Sequence, residues 1–339
     1  MRKQWITISF AATLLVLAAC GDEEAQEENG EEVEETEEET ELDEDPADEE
    51  LAEEEEEESE EDTVQDALGE EIEGPEEPER IISLMPSNTE TAFALGLGDQ
   101  LVGVTDWCDY PEEAQDIESV GDMEFDVETA LALEPDVVLA HESNVHNVEE
   151  GLDTLGEEAE VVVVNDADSL NGAYEAMEMI GEAAGAQEAA EDLITEVEEG
   201  LNEVAAQAEE VPEEERVSVW YEVDPGPEIF TTGSGTFAHE MIELINAENA
   251  AADEEGWISL TEEEAVTLNP DVIITTYGDH IDNPEAEVSE RTAWDEVEAV
   301  ANDRIYDVDA DKLNRPGPRL VEGAEMLGEN VYPEVFGAE

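Results

Sequence analysis

The chain has 339 residues and carries 103 Asp and Glu against 9 Lys and Arg, a formal charge of −94. Its length gives room for about two domains at roughly 100–200 residues each. So large an excess of acid excludes nucleic acid as a partner, because affinity for phosphates comes from Lys and Arg neutralising the backbone. Two cysteines exclude a disulfide scaffold, while 40% hydrophobic residues is near the globular norm and leaves enough for a core.

Arg2 and Lys3 precede an apolar run from Trp5 to Leu17, and Leu17-Ala18-Ala19-Cys20-Gly21 follows. A positive start, a short apolar stretch and a small-residue ending read as an export signal, since the run is well short of the ~20 residues that span a bilayer. The Leu-Ala-Ala-Cys ending resembles the bacterial lipobox, in which the cysteine becomes the first mature residue and is lipid-modified. Residues 1–20 are therefore expected to be a lipoprotein signal with Cys20 as the lipidation site, which places the protein on the extracytoplasmic face of the cell membrane. An ordinary cleaved signal with an incidental cysteine is the alternative. With Cys20 lipidated, Cys108 is the only free thiol.

Residues 22–79 hold 35 acids and no base. Like charges repel and little is available to bury, so residues 21–79 are expected to be a disordered acidic tether, with an upper reach on the order of 190 Å at ~3.3 Å per residue. Cation sequestration by the Glu run is the alternative reading. From Arg80 on, 68 acids still face only 7 bases. Such a surface repels itself at low ionic strength and is screened in concentrated salt, which predicts a protein adapted to a saline environment.

The folded part repeats itself. Glu128-Thr-Ala-Leu-Ala-Leu-Glu-Pro135-Asp136-Val-Val-Leu139 aligns without a gap on Glu263-Glu-Ala-Val-Thr-Leu-Asn-Pro270-Asp271-Val-Ile-Ile274, 135 residues later. In each copy a short helix ends near Pro-Asp and a β-branched apolar run follows, the pattern of a buried parallel strand. Arg80–Met85 and Arg216–Tyr221 read as the opening strands of the two halves, followed by helices over Thr89–Leu97 and Phe237–Ile245. Strands alternating with helices imply parallel sheets covered on both faces. Between the halves, Gln187–Glu210 repeats apolar residues at helical spacing, one helix of about 36 Å at 1.5 Å per residue. The predicted architecture is an N-terminal α/β lobe (80–186), a connecting helix (187–212) and a C-terminal α/β lobe (213–339). Its default ligand site is the cleft beyond the carboxyl ends of the strands.

Those strand ends collect the chain's scarce aromatics: Trp107 and Tyr110 in the first half, and Trp220, Tyr221, Phe230, Trp257 and Tyr277 in the second. As a set they favour a wide, flat or hydrophobic ligand; any one of them singly is as well explained by core packing. His141, His146, His239 and His280 fall two per half, and an inter-lobe metal site with Glu142 or Asp279 is the alternative they raise. None has zinc-finger or HExxH spacing, so no metal is expected. Gly-x-Ser-x-Gly, P-loop and GxGxxG signatures are absent, and Cys108 has no histidine near it in sequence. A non-enzyme without a cofactor is expected.

Taken together, Arg80-Ile-Ile-Ser-Leu-Met-Pro-Ser-Asn-Thr-Glu90, Gly103-Val-Thr-Asp-Trp-Cys-Asp-Tyr-Pro111, the two Glu/Pro-Asp repeats and Gly317-Pro-Arg-Leu320 resemble the substrate-binding proteins of ABC importers for cobalamin and iron complexes, the class III periplasmic binding proteins. The resemblance covers residues 80–339 and lies nearest to cobalamin-binding members. It implies two Rossmann-like lobes joined by one rigid helix, with a ligand held in a shallow cleft. It also implies that Trp107, Tyr221, Phe230 and Trp257 face the ligand, with His141 where the family can place a tryptophan. Glu128 and Glu263 correspond to lobe-tip glutamates that meet arginines on a permease dimer, itself coupled to ATPase subunits. Arg315 and Arg319 are the only bases near a predicted strand end. That scarcity fits a neutral or cationic bulky ligand better than an anionic chelate. The expectation is a monomeric lipoprotein that captures cobalamin or a related corrinoid. Haem or an iron–siderophore is the second reading; a histidine-based metal-binding protein and a non-delivering sensor are readings from other classes.

Overall fold

The computed structural model describes residues 63–337, apart from 73, 76, 123 and 124; the signal, Cys20 and most of the expected tether lie outside the described residues. In chain order the first lobe comprises β1 (Ile81–Ser83), α1 (Pro86–Ala94), β2 (Leu101–Val104), α2 (Val127–Ala132), β3 (Val137–His141), α3 (Val145–Leu155), β4 (Glu160–Val164) and α4 (Leu170–Ala183). Its sheet runs β2-β1-β3-β4 and every pairing is parallel. Successive residues alternate between two cores: Ile81, Val137, Leu139, Val162 and Val164 pack on one face, and Ile82, Val138, Ala140 and Val163 on the other. That is why these strands are apolar throughout rather than at every second position.

The connecting helix α5 (Gln187–Ala208) serves both lobes. Ala190, in its first turn, packs in the N-terminal core, whereas Val197, Leu201, Val204 and Ala208 pack in the C-terminal one. Two glycines allow the close approaches this needs. A Cβ on Gly181 of α4 would stand 2.5 Å from the Ala190 Cβ, and one on Gly200 would stand 2.7 Å from Val321.

The second lobe comprises β5 (Ser218–Asp224), β6 (Ile229–Thr232), α6 (Phe237–Leu244), β7 (Glu248–Asn249), β8 (Trp257–Leu260), α7 (Glu262–Ala265), β9 (Val272–Thr275), α8 (Pro284–Ser289), α9 (Glu298–Ala301), β10 (Ile305–Asp307), α10 (Ala310–Asn314), α11 (Leu320–Val331) and α12 (Pro333–Phe336). Its sheet runs β10-β9-β5-β6-β8, with β7 also on β5. The expectation of a parallel sheet holds for β5, β9 and β10, but β6 pairs antiparallel with both β5 and β8. Only four residues, Pro225–Glu228, separate β5 from β6. A parallel return needs a crossover of roughly a dozen residues or more, so the chain folds straight back. Gly226, at φ +129°, takes a backbone conformation closed to other residues at that turn.

The repeat seen in the sequence is a repeat of hydrogen bonds. The Asp136 carboxylate accepts from the Glu79 and Arg80 N–H groups at 2.9 and 3.0 Å, and the Asp271 carboxylate accepts from the Ser218 N–H at 2.8 Å. Each Asp thus fastens the start of its lobe's central strand to the strand beside it. One residue ahead of each Pro-Asp, Glu134 and Asn269 both take left-handed backbone, at φ 47° and 46°.

Folded structure begins before Arg80, earlier than the tether boundary expected from composition. Val64 and Ile72 pack into the N-terminal core. The Ala67 N–H donates to the Val163 carbonyl at 2.8 Å, and the Asp66 carboxylate accepts from the Val163 N–H at 3.2 Å. Residues 63–72 therefore cover the open edge of β4. An acid-rich composition conceals this because Val64, Ala67 and Ile72 are its only apolar anchors in that stretch besides an exposed Leu68.

Candidate binding cleft

Two sets of contacts join the two lobes. At one place the Glu240 carboxylate, in the first turn of α6, accepts from the Leu170 N–H that opens α4 at 2.7 Å. At the other, the segment after α10 spans the lobes. Asn314 accepts from the Tyr221 hydroxyl at 2.6 Å and donates to Thr276 at 3.1 Å, both in the C-terminal lobe. Arg315 and Arg319, just beyond, grip Glu90 of α1 in the N-terminal lobe.

On the N-terminal side, Trp107 stands in the loop after β2 with 53% of its surface exposed. Its neighbour Cys108 points the other way, buried between the Thr89 and Thr105 hydroxyls at 3.1 and 3.2 Å, so the thiol anchors the loop from beneath. His141 closes β3 and is only 5% exposed. Its Nδ1 accepts from the Ser143 N–H at 3.3 Å and lies 2.9 Å from the Ser143 hydroxyl. Burial holds its pKa below the ordinary value, against the opposing pull of Asp166 and Glu142, so the ring is neutral at pH 7.

On the C-terminal side, Phe230 and Trp257 stack across β6 and β8 with ring centroids 5.8 Å apart and planes 22° apart, and Phe237 meets Trp257 edge-on at 5.9 Å. Phe230 pairs in register with Ser259, so its contact with Trp257 is the diagonal one across the antiparallel pair. Trp257 is 36% exposed and presents an aromatic face to solvent.

Two expected site residues are placed elsewhere. Tyr221 is 1% exposed and packs in the C-terminal core. Desolvation pushes its phenol far above the ordinary range, and its hydroxyl is held by Asn314, so it supports the cleft from below instead of lining it. Arg315 is not open to a ligand, because its guanidinium is taken by Glu90 at 2.8 Å, Asp109 at 2.9 Å and Asp311 at 2.7 Å. Tyr221 is claimed by Asn314 and Arg315 by Glu90 and Asp109, all remote in sequence; only Asp311, four residues before Arg315, is local. The histidines do not assemble either: among the described residues no group of three His, Cys, Asp or Glu could hold a metal ion. Glu128 and Glu263 are exposed in the first turns of α2 and α7.

Two buried ion clusters escaped the sequence reading. In the first, Arg319 binds both Glu90 oxygens, at 2.7 and 2.6 Å, while lying 4.0 Å above the Tyr110 ring. In the second, Glu222 on β5, with a side chain fully buried, accepts from both nitrogens of the Arg291 fork, from the Tyr277 hydroxyl at 2.7 Å and from the Trp220 indole at 2.9 Å. The one available signal was the scarcity of bases: an arginine kept among 68 acids is a candidate for a specific carboxylate. A hollow of about 870 Å³ opens behind the first cluster, lined in part by Phe93, Tyr110, Pro111, Glu113, Asp116 and Glu322; neither Trp107 nor Trp257 lines it.

Two α/β lobes on one helix, each with an exposed tryptophan, have the architecture of a two-lobed binding protein. The chain belongs to the periplasmic binding protein family, whose sequence profile matches residues 81–312. It is 45% identical over 273 residues, 80% of this chain and 85% of the relative, to YvrC of Bacillus subtilis, an uncharacterized ABC transporter substrate-binding lipoprotein. It is 29% identical to the vitamin B12-binding protein of Pectobacterium carotovorum over 74% of this chain and 87% of that one. Among solved structures, a possible iron-binding (periplasmic solute-binding) protein from Staphylococcus epidermidis superposes with a TM-score of 0.69 at 34% identity, covering 76% of this chain and 99% of the other. The chain is accordingly a substrate-binding protein of the ABC-transporter type, from a family of binding proteins and not of enzymes.

Proposed function

We propose that this protein captures cobalamin or a related corrinoid between its lobes and delivers it to an ABC permease from a lipid anchor at Cys20. The observation that carries the ligand assignment is the pairing of exposed aromatic faces, Trp107 on one lobe and the Phe230–Trp257 stack on the other, with arginines that are already neutralised. Arg315 and Arg319 are both held by carboxylates, so neither is free to grip an anionic chelate. A corrin ring presents a broad apolar face and no strong negative charge, which suits such walls. The likeness to a vitamin B12-binding protein supports the same ligand. Haem fits less well, because the His141 ring is only 5% exposed. An iron complex is the second reading, favoured by the likeness to the Staphylococcus epidermidis protein.

Calorimetry of the full chain in molar NaCl tests the assignment, with cyanocobalamin, haem and a ferric siderophore titrated in turn. Tight one-to-one binding of cyanocobalamin alone is expected. Binding of haem or the siderophore with none of cyanocobalamin would overturn the ligand and leave the transport role. The anchor is supported by the lipoprotein relative, and Cys20→Ser should release the protein from membranes. For delivery, Glu128 and Glu263 each offer one carboxylate per lobe to a permease of two-fold symmetry; reversing both charges is the test.

A further inference from the structure

We propose that Arg315, Arg319 and Glu90 form an inter-lobe clasp whose task is to position the Trp107 loop at the mouth of the cleft. The inference rests on the reading of Trp107 as a ligand contact. Both arginines leave the C-terminal lobe on one short segment, Arg315-Pro316-Gly317-Pro318-Arg319, whose start is fastened through Asn314 to the strand ends of that lobe. Both reach the same carboxylate of the other lobe, Glu90, whose side chain is 2% exposed.

From there the two guanidiniums extend to the Trp107 loop itself. Arg315 donates to Asp109 at 2.9 Å, and Arg319 lies over the Tyr110 ring at 4.0 Å. Residues 109 and 110 are thus held by the opposite lobe, while Cys108 is held from below by Thr89 and Thr105. Trp107 directly precedes these attachments in the chain and is exposed. Behind Tyr110 lies the hollow of about 870 Å³ and not packed core, so the arginines supply what packing does not. The bidentate grip of Arg319 on Glu90 also sets the guanidinium plane, and with it the height of the Tyr110 ring.

Charge and burial suit the task. In concentrated salt the exposed Arg315–Asp109 pair is largely screened, whereas the buried grip of both arginines on Glu90 is screened much less. A cluster made only for stability would be replaceable by apolar side chains of similar volume. These arginines instead give direction to a loop that carries an exposed tryptophan, and they tie its position to that of the lobe bearing Trp257.

The test is fluorine NMR of the full chain labelled with 5-fluorotryptophan, without ligand, the Trp107 resonance being assigned by Trp107→Phe. Arg319→Gln is expected to move and broaden that resonance while those of Trp220 and Trp294 stay. Arg319→Lys, which keeps the charge but loses the fork and the flat face, is expected to do the same. Because Arg319→Gln leaves Glu90 short of a partner, Asp109→Asn with Tyr110→Leu provides a second route. It removes only the loop's half of the clasp, at exposed residues, and is expected to shift Trp107 at an unchanged melting temperature and to weaken cyanocobalamin binding by tenfold or more. An unmoved Trp107 resonance in the folded double variant overturns the clasp, as does a moved resonance with unchanged affinity. If the parent chain binds no cyanocobalamin while the variants still move Trp107, the clasp stands and the ligand assignment falls.

Discussion

Glu222 is enclosed by Arg291, Tyr277 and Trp220, and Arg291 in turn lies 4.9 Å above the Trp294 ring. Every side of that carboxylate meets a donor, which is the condition under which a buried charge is tolerated. Arg291→Met would strip the one full positive charge and leave Glu222 buried behind two neutral donors. The expected loss is about 3–5 kcal/mol, read as a lowered urea midpoint. Arg291→Met combined with Glu222→Gln should recover part of it, since no uncompensated charge then remains; a single variant as stable as the parent would refute the argument. None of this was visible in the sequence, where Glu222 is one acid among many. Trp220 and Tyr221 were legible as strand residues at a cleft-facing end, but which face each occupies depends on where the two cores lie.

Short elements are placed here by their ends. α2 is capped by the Asp126 carboxylate, which accepts from the Glu128 and Thr129 N–H groups at 3.0 and 3.2 Å and is held below its ordinary pKa chiefly by Thr129. α7 is capped by Thr261 and Glu264 in a reciprocal box. Helix capping therefore does not require Glu128 or Glu263, and both are free to face a partner. Glu128→Lys with Glu263→Lys should abolish uptake in cells while leaving cyanocobalamin affinity unchanged; uptake at the parent level would refute the docking role. The same scale explains what the sequence revealed about elements. The Pro-Asp of each repeat was legible because its proline acts locally, disfavouring helix before it, whereas the strand start that each aspartate fastens lies 53 to 57 residues earlier and was not legible. The β5–β6 reversal could have been read from its four-residue connection.

Across the whole molecule, the folded part holds 68 acids against 7 bases from Arg80 on, and three of the seven, Arg291, Arg315 and Arg319, are committed to buried carboxylates. The remaining acids form a self-repelling shell. At 1 M salt the screening length is only ~3 Å, so repulsion across the shell vanishes while the buried clusters keep their strength. The melting temperature is expected to rise steadily from low to molar NaCl; equal values at both ends would exclude adaptation to salt.

The sequence by itself determined the two-lobe α/β plan and the helix between the lobes. Those follow from periodicity and from Pro-Asp breaks, properties of residues near one another in the chain, and from an internal repeat that gives the two halves one plan. Tertiary structure alone decided which buried carboxylates the arginines meet. Glu90 lies 225 residues from Arg315 and 229 from Arg319, and no local pattern selects one acid among so many at that range. It likewise decided that Tyr221 is buried while Trp107 and Trp257 are exposed, because the side a residue shows is set by what packs against its sheet.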